Sequence, residues 1–209
     1  MAVANMGEVL RILKKEYPNT KYYLKFSNPL ELMVATILSA QCRDDVVNSV
    51  TAKLFKKYKT AADFTKLGEE DIKSITFFNN KAKNIREAAR LLIEKHNGNV
   101  PDTMEELTNL PGIGRKTANA ILINAFDKVV GVVVDVHVLR VAYRLGLTKN
   151  TNPEKVESDL MSVLPKPEWK RFTWLMKDHG RAVCRAPVPY CSKCVLNKIC
   201  PKNGVTKQL

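Results

Sequence analysis

Apolar residues recur at helical spacing along almost the whole chain, and this periodicity restricts the fold more than any other feature of the sequence. Met6, Val9, Leu10, Leu13 and Tyr17 line one face of a first helix. Asn28-Pro29 offers a second helix its N-cap and first-turn proline, and Leu30 to Leu38 is then apolar on almost every side, which predicts a central, buried helix. Val47, Val50, Leu54 and Tyr58 mark a third. Ile85, Ala88, Ala89, Leu92 and Ile93 mark another, closed by Asn97-Gly98 as a left-handed stop. Asp102 with Glu105 reads as a capping box for a short helix ending near Leu110, and Arg115 to Ala125 is helical again. Asp135 can cap a helix ending before Gly146, Asn152-Pro153 starts one that stops before Pro165, and Glu168 to His179 is closed by Gly180. Only the valine-rich run 129–134 has strand propensity. It has no partner strand, and a lone strand cannot pair its backbone, so it reads as a buried extended connection in an all-α protein.

At 209 residues the chain can hold one large domain or two small ones. Lys and Arg outnumber Asp and Glu 34 to 21, a net charge of +13, which favours a polyanionic partner, first of all nucleic acid. A lysine-rich solvated surface is the plainer account. An anionic membrane competes less well, because no basic amphipathic helix carries exposed Trp or Phe. The N-terminal residues lack a basic segment followed by an apolar run, and the longest apolar stretch is far shorter than the roughly 20 residues that span a bilayer. An intracellular, cytoplasmic protein is expected, whose cysteines are reduced thiols or metal ligands.

Four of those cysteines, Cys184, Cys191, Cys194 and Cys200, form the pattern C-x6-C-x2-C-x5-C. Such crowding in a reducing compartment points to metal. Zinc ribbons usually use two short paired turns, and here only Cys191 and Cys194 make one; wider outer loops suit a cuboidal [4Fe-4S] cluster. Spacing alone leaves both open.

A second motif, Leu110-Pro111-Gly112-Ile113-Gly114-Arg115-Lys116-Thr117, joins two helices. Gly112 and Gly114 permit positive φ and close approach, so N–H groups at the start of the next helix can face a phosphate. Without a preceding strand it is neither a P-loop nor a dinucleotide fingerprint. A tight turn with no ligand is the competing account, weakened by Arg115-Lys116 and the basic chain. Lys116 is either one more phosphate contact or a nucleophilic amine. Asp135 is sufficiently explained as a helix cap.

Together LPGIGRKTANAIL, VDVHVLRV at 134–141, LSAQ at 38–41 and the closing cysteine pattern resemble the endonuclease III family of the helix-hairpin-helix DNA glycosylase superfamily, from about Met6 to Lys202. The resemblance implies an all-α, two-domain fold: a six-helix barrel domain over 19–127 that carries the hairpin, and a discontinuous iron–sulfur domain over 1–18 and 128–209. It implies that the four cysteines bind [4Fe-4S]. It further implies a monomeric bifunctional DNA glycosylase and AP lyase of base excision repair, acting among the nucleoid DNA on duplexes with damaged pyrimidines or abasic sites. Lys116 matches the Schiff-base nucleophile, Asp135 the assisting carboxylate, Gln41 the residue that fills the gap left by a flipped base, and Phe77 a leucine wedge on the opposing strand. Gly112, Gly114, Arg115 and Thr117 belong to the DNA-binding hairpin. Plainer accounts make Gln41 a helix-end polar residue and Phe77 a core aromatic. Two departures stand out. Thr76 replaces a glycine before the wedge, and between Cys184 and Cys191 only Arg185 is basic. Cys42 lies outside the cluster pattern and reads as a core thiol. A monofunctional mismatch glycosylase for uracil, thymine or adenine would carry a different residue at position 116. A non-catalytic DNA-binding or redox-sensing iron–sulfur protein would need neither Lys116 nor Asp135.

Overall fold

A computed structural model describes residues 4–209; residues 1–3, with which the expected iron–sulfur domain begins, lie outside the described residues. Among the described residues there is no strand. The α-helices in chain order are α1 (Met6–Glu16), α2 (Pro29–Ser39), α3 (Asp44–Lys57), α4 (Ala61–Phe64), α5 (Phe78–His96), α6 (Met104–Thr108), α7 (Arg115–Ala125), α8 (Val136–Arg144), α9 (Pro153–Val163) and α10 (Trp169–Ala182). They fall into two compact units. One is the continuous segment Tyr22–Lys128, and the other joins the N-terminal segment through Lys21 to Val129–Leu209. These limits lie one to three residues from those expected from the sequence.

The continuous unit is organised around α2. Asn28 caps it and Pro29 opens it, and every residue from Leu32 to Leu38 is buried. A helix apolar all round must be covered on all sides, and α3, α5 and α7 pack against it. Each fully buried Leu, Ile, Met or Val side chain contributes about 1.5–3 kcal/mol over leaving it in water. The helix α5 ends as its Asn97-Gly98 pair dictates, with both residues at positive φ.

The discontinuous unit packs α8 and α1 on α10. Its core includes Leu13, Val138, Val141, Phe172, Leu175 and Met176. The run 129–134 forms neither helix nor strand, with Val132 and Val134 buried and Val130 exposed.

Three local expectations need correction. The N-cap of α6 is Thr103, one position later than expected: Thr103 Oγ1 accepts from Glu106 N, and Asp102 instead pairs with Lys128 at 2.6 Å. Gly180 does not end its helix. It lies inside α10, where an added Cβ would come within 3.0 Å of His137, so its task is close packing against α8. Gly114 does not use positive φ, since it sits at φ −93°, ψ 176° as the N-cap of α7. A further short helix, α4, went unread although Thr60 and Asp63 form a reciprocal capping box at its start.

Candidate active site and cysteine pocket

The hairpin Leu110–Thr117 links α6 to α7. A turn closed by Ile113 N on Leu110 O brings the chain round, and Gly112 takes φ +80° there. Gly112 is required twice over, because a Cβ would also meet the Asn84 side chain at 3.1 Å. Gly114 differs. A Cβ there would meet nothing within 4 Å, so the fold itself does not demand glycine. It offers α7 no side-chain cap, and the first intrahelical bond runs from Ala118 N to Gly114 O. The first N–H groups of a helix lack intrahelical partners and carry the positive end of its dipole, which makes this end a cradle for an anion. Arg115 and Lys116 are exposed beside it and Thr117 is half-buried. The structure therefore gathers all five predicted hairpin residues at one helix start.

Asp135 belongs to the other unit. Its Oδ1 accepts from His137 N at 2.8 Å and Val138 N at 2.9 Å, so it caps α8 as the sequence suggested. The carboxylate is half-buried, and Val136 beside it is 72% exposed. One residue on, His137 Nδ1 accepts from Arg140 Nη2 at 3.1 Å. Burial is the main cause of a His137 pKa below the usual histidine value.

Gln41 and Phe77 share a property the sequence did not reveal: both are non-glycine residues at positive φ, +52° and +56°. Such backbone costs of the order of 1–3 kcal/mol and persists where the surroundings enforce it. Phe77 is 61% exposed, so the core-aromatic account is overturned. Thr76 does not adopt positive φ; the left-handed turn falls on Phe77, the residue before α5. Gln41 is exposed just beyond the end of α2, and Cys42 is partly buried against the core. Lys81, unmarked in the polar run Asn79-Asn80-Lys81, is buried, and its Nζ donates to Leu38 O and Ala40 O.

The four cysteines line a single cavity of about 20 Å³ with Val141, Leu145 and Leu196. Each is half-buried and none is in a disulfide. No three His, Cys, Asp or Glu side chains among the described residues gather as they would round a single ion. N–H groups point at the sulfurs: Arg144 Nη1 lies 3.3 Å from Cys184 Sγ, and Lys202 N 3.4 Å from Cys200 Sγ. Arg144 is a buried cation that the sequence reading missed, since nothing in Tyr143-Arg144-Leu145 marks it as internal. Its guanidinium also donates to the carbonyls of Cys184, Arg185 and Pro187, holding the loop before Cys191. Desolvation pushes the Cys194 thiol up to about 11 and raises Cys200 as well. His179, buried, faces Tyr17 Oη at 3.2 Å and Cys194 Sγ at 3.5 Å, and desolvation holds its pKa near about 4.

No helix of the described residues is long and apolar enough to cross a membrane. Residues 34–166 match the model of the HhH-GPD superfamily base excision DNA repair proteins. An endonuclease III from Synechocystis sp. is 50% identical over 199 residues, covering 93% of this chain and 90% of that protein. A solved non-covalent endonuclease III–DNA complex superposes with a TM-score of 0.90 at 41% identity, over 94% of both chains. A trapped covalent endonuclease III–DNA intermediate does so at 0.88 and 41%, over 94% of this chain and 95% of that one.

Proposed function

The chain belongs to the endonuclease III family of the HhH-GPD superfamily, and from that premise we propose that it is a bifunctional DNA glycosylase and AP lyase of base excision repair. It removes damaged pyrimidines from duplex DNA inside the cell and nicks the abasic site. One observation carries the reading: an exposed lysine, Lys116, stands two residues past Gly114, in a glycine hairpin whose helix start has no side-chain cap and which a nucleic-acid backbone can approach. The hairpin takes a phosphate through backbone N–H groups while Arg115 and Thr117 add side-chain donors, contacts that set position without reading sequence.

The target nucleotide must leave the stack before its sugar can be reached. Gln41 fills the space it vacates, and Phe77, already solvent-facing, wedges the opposing strand. Lys116 Nζ, as the free amine, attacks C1′ and the damaged base departs with the glycosidic electron pair and a proton. The Asp135 carboxylate stabilises the positive charge developing on the sugar. The attached amine opens the sugar to a Schiff base, which acidifies the C2′ proton; its removal expels the 3′ phosphate by β-elimination and cuts the strand. A monofunctional glycosylase needs no amine at position 116, and a purely DNA-binding protein needs neither Lys116 nor Asp135.

Cys184, Cys191, Cys194 and Cys200 fit a [4Fe-4S] cluster. All four thiols line one cavity, and N–H donors face two of the sulfurs, those of Cys184 and Cys200, as thiolate ligands require. Bound there, the cluster supplies cross-links that fix the C-terminal segment; no step of the reaction runs through it.

Borohydride added during reaction with a thymine-glycol duplex traps a covalent adduct. Lys116→Gln abolishes trapping while duplex binding survives. Were Lys116 only a phosphate contact, trapping would persist at saturating protein and the salt slope of binding would fall by about one unit. Asp135→Asn keeps the cap, because Asn caps about as well as Asp, so stability holds while excision falls by orders of magnitude. Undiminished excision in that variant removes Asp135 from the mechanism.

A further inference from the structure

Lys81 is the one buried cation of the continuous unit that the mechanism leaves without a task. It is 6% exposed, and its ammonium donates to Leu38 O at 2.8 Å and Ala40 O at 2.5 Å. These are main-chain acceptors at the end of α2, where a helix runs out of intrahelical donors. A glycine just past the helix would close that end without taking a charge out of water, which is unfavourable unless the charge is well bonded. Here the closing group comes from another helix. Lys81 stands in the first turn of α5, and its backbone N donates to Phe77 O at 3.2 Å. The main-chain bond is the ordinary first intrahelical bond of α5, so Lys81 sits in the turn that starts at Phe77 while its ammonium reaches Ala40, the neighbour of Gln41. Both turns hold exposed side chains at positive φ, a conformation that lasts only where the surroundings impose it.

We propose that Lys81 is a positioning residue for base extrusion, which locks the Gln41 and Phe77 turns into one register so that both side chains enter the duplex in a single motion. The inference rests on the assignment of Gln41 and Phe77 to DNA insertion made above. Lys81 touches neither DNA nor the reacting atoms. Its loss therefore slows turnover and leaves the phosphate-borne affinity for intact duplex in place.

The test uses the full-length holoprotein and a duplex with one thymine glycol and a 2-aminopurine in the opposing strand. Single-turnover excision and the unstacking fluorescence are read together. Lys81→Met, which keeps the length but loses the donors, lowers both at least tenfold, with affinity for undamaged duplex within about twofold. Lys81→Arg, which keeps charge and donors, recovers a large part of both signals. In a double-mutant cycle, Lys81→Met added to Gln41→Ala costs little beyond the worse single variant, because both remove one device. Wild-type excision and fluorescence in Lys81→Met, or full additivity in the cycle, overturns the proposal. Should Lys81→Met fail to fold, Lys81→Leu, which also lacks donors, runs the same measurements, and a wild-type rate there overturns it equally. If Gln41→Ala and Phe77→Ala both excise at the normal rate, the insertion assignment falls and takes this proposal with it. If they are slow and Lys81→Met is not, only the role of Lys81 falls.

Discussion

The hairpin at 110–117 and the cysteine segment at 184–200 solve opposite problems with opposite materials. The hairpin is made of main chain: glycines, a helix start without a side-chain cap and two exposed cations. The cysteine segment is made of side chains: four half-buried thiols about an apolar cavity, braced by a buried arginine. The first is complete in its conformation and waits for a partner. The second gathers thiols, two of which, Cys194 and Cys200, are held in the uncharged form by burial, and the cluster proposed above would bind them as thiolates. On the proposed function, one region serves reversible contact and the other permanent occupancy.

Removing an occupant should therefore damage one region and spare the other. With the proposed cluster bound, the protein should be brown, with a broad band at roughly 400 nm. Cys191→Ser bleaches it, and the emission of Trp169 and Trp174, the only tryptophans and both in the cysteine-bearing unit, shifts red. The helical signal of the other unit stays. A colourless, folded wild-type protein with stoichiometric zinc and no iron would end the cluster assignment.

Acid should separate the two regions next. His137 and His179 both lie in the cysteine-bearing unit, and burial lowers both pKa values, His179 to about 4. Folded pKa values below the unfolded one of about 6.5 mean that the unfolded chain binds protons the native state refuses. The stability is then present above pH 6.5 and is lost as pH falls toward 4, by roughly 3 kcal/mol for His179. Urea midpoints read by tryptophan fluorescence should drop steadily between pH 7 and pH 4.5. A flat profile over that range contradicts the burial of these rings.

The smallest effects divide the hairpin against itself. Gly112→Ala places a side chain at φ +80° against Asn84 and lowers stability by about 1–3 kcal/mol. Gly114→Ser enters open space, gains a cap worth a few tenths of a kcal/mol, and weakens duplex binding about tenfold by obstructing the phosphate. Unchanged affinity in Gly114→Ser would make Gly114 a turn residue only.

Much of this was legible in the sequence because it depends on residue type. The burial of α2 follows from nine nearly uninterrupted apolar positions, and the cap at Asp135 follows from an acidic residue before a helical repeat. Gly180 was misread because a helix-stopping glycine and a close-packing glycine look alike until the facing helix is known. Lys81 and Arg144 were invisible for a related reason. A lysine or arginine reads as surface, and only the distant carbonyls and sulfur they reach account for their burial. The strain at Gln41 and Phe77 was hidden because neither residue type favours positive φ.

Gly180 also bears on the position of Asp135. His137 stands two residues beyond Asp135 at the start of α8, and its ring touches the one place on α10 that has no side chain. A single methyl at position 180 would force a displacement of a few tenths of an ångström, which must be taken up by the histidine, by Arg140 or by the beginning of α8 itself. Where the carboxylate points within its unit is thus gauged by the thickness of one hydrogen atom on a different helix. Variation at residue 180 is a route by which the chemistry could be retuned with every reacting group unchanged.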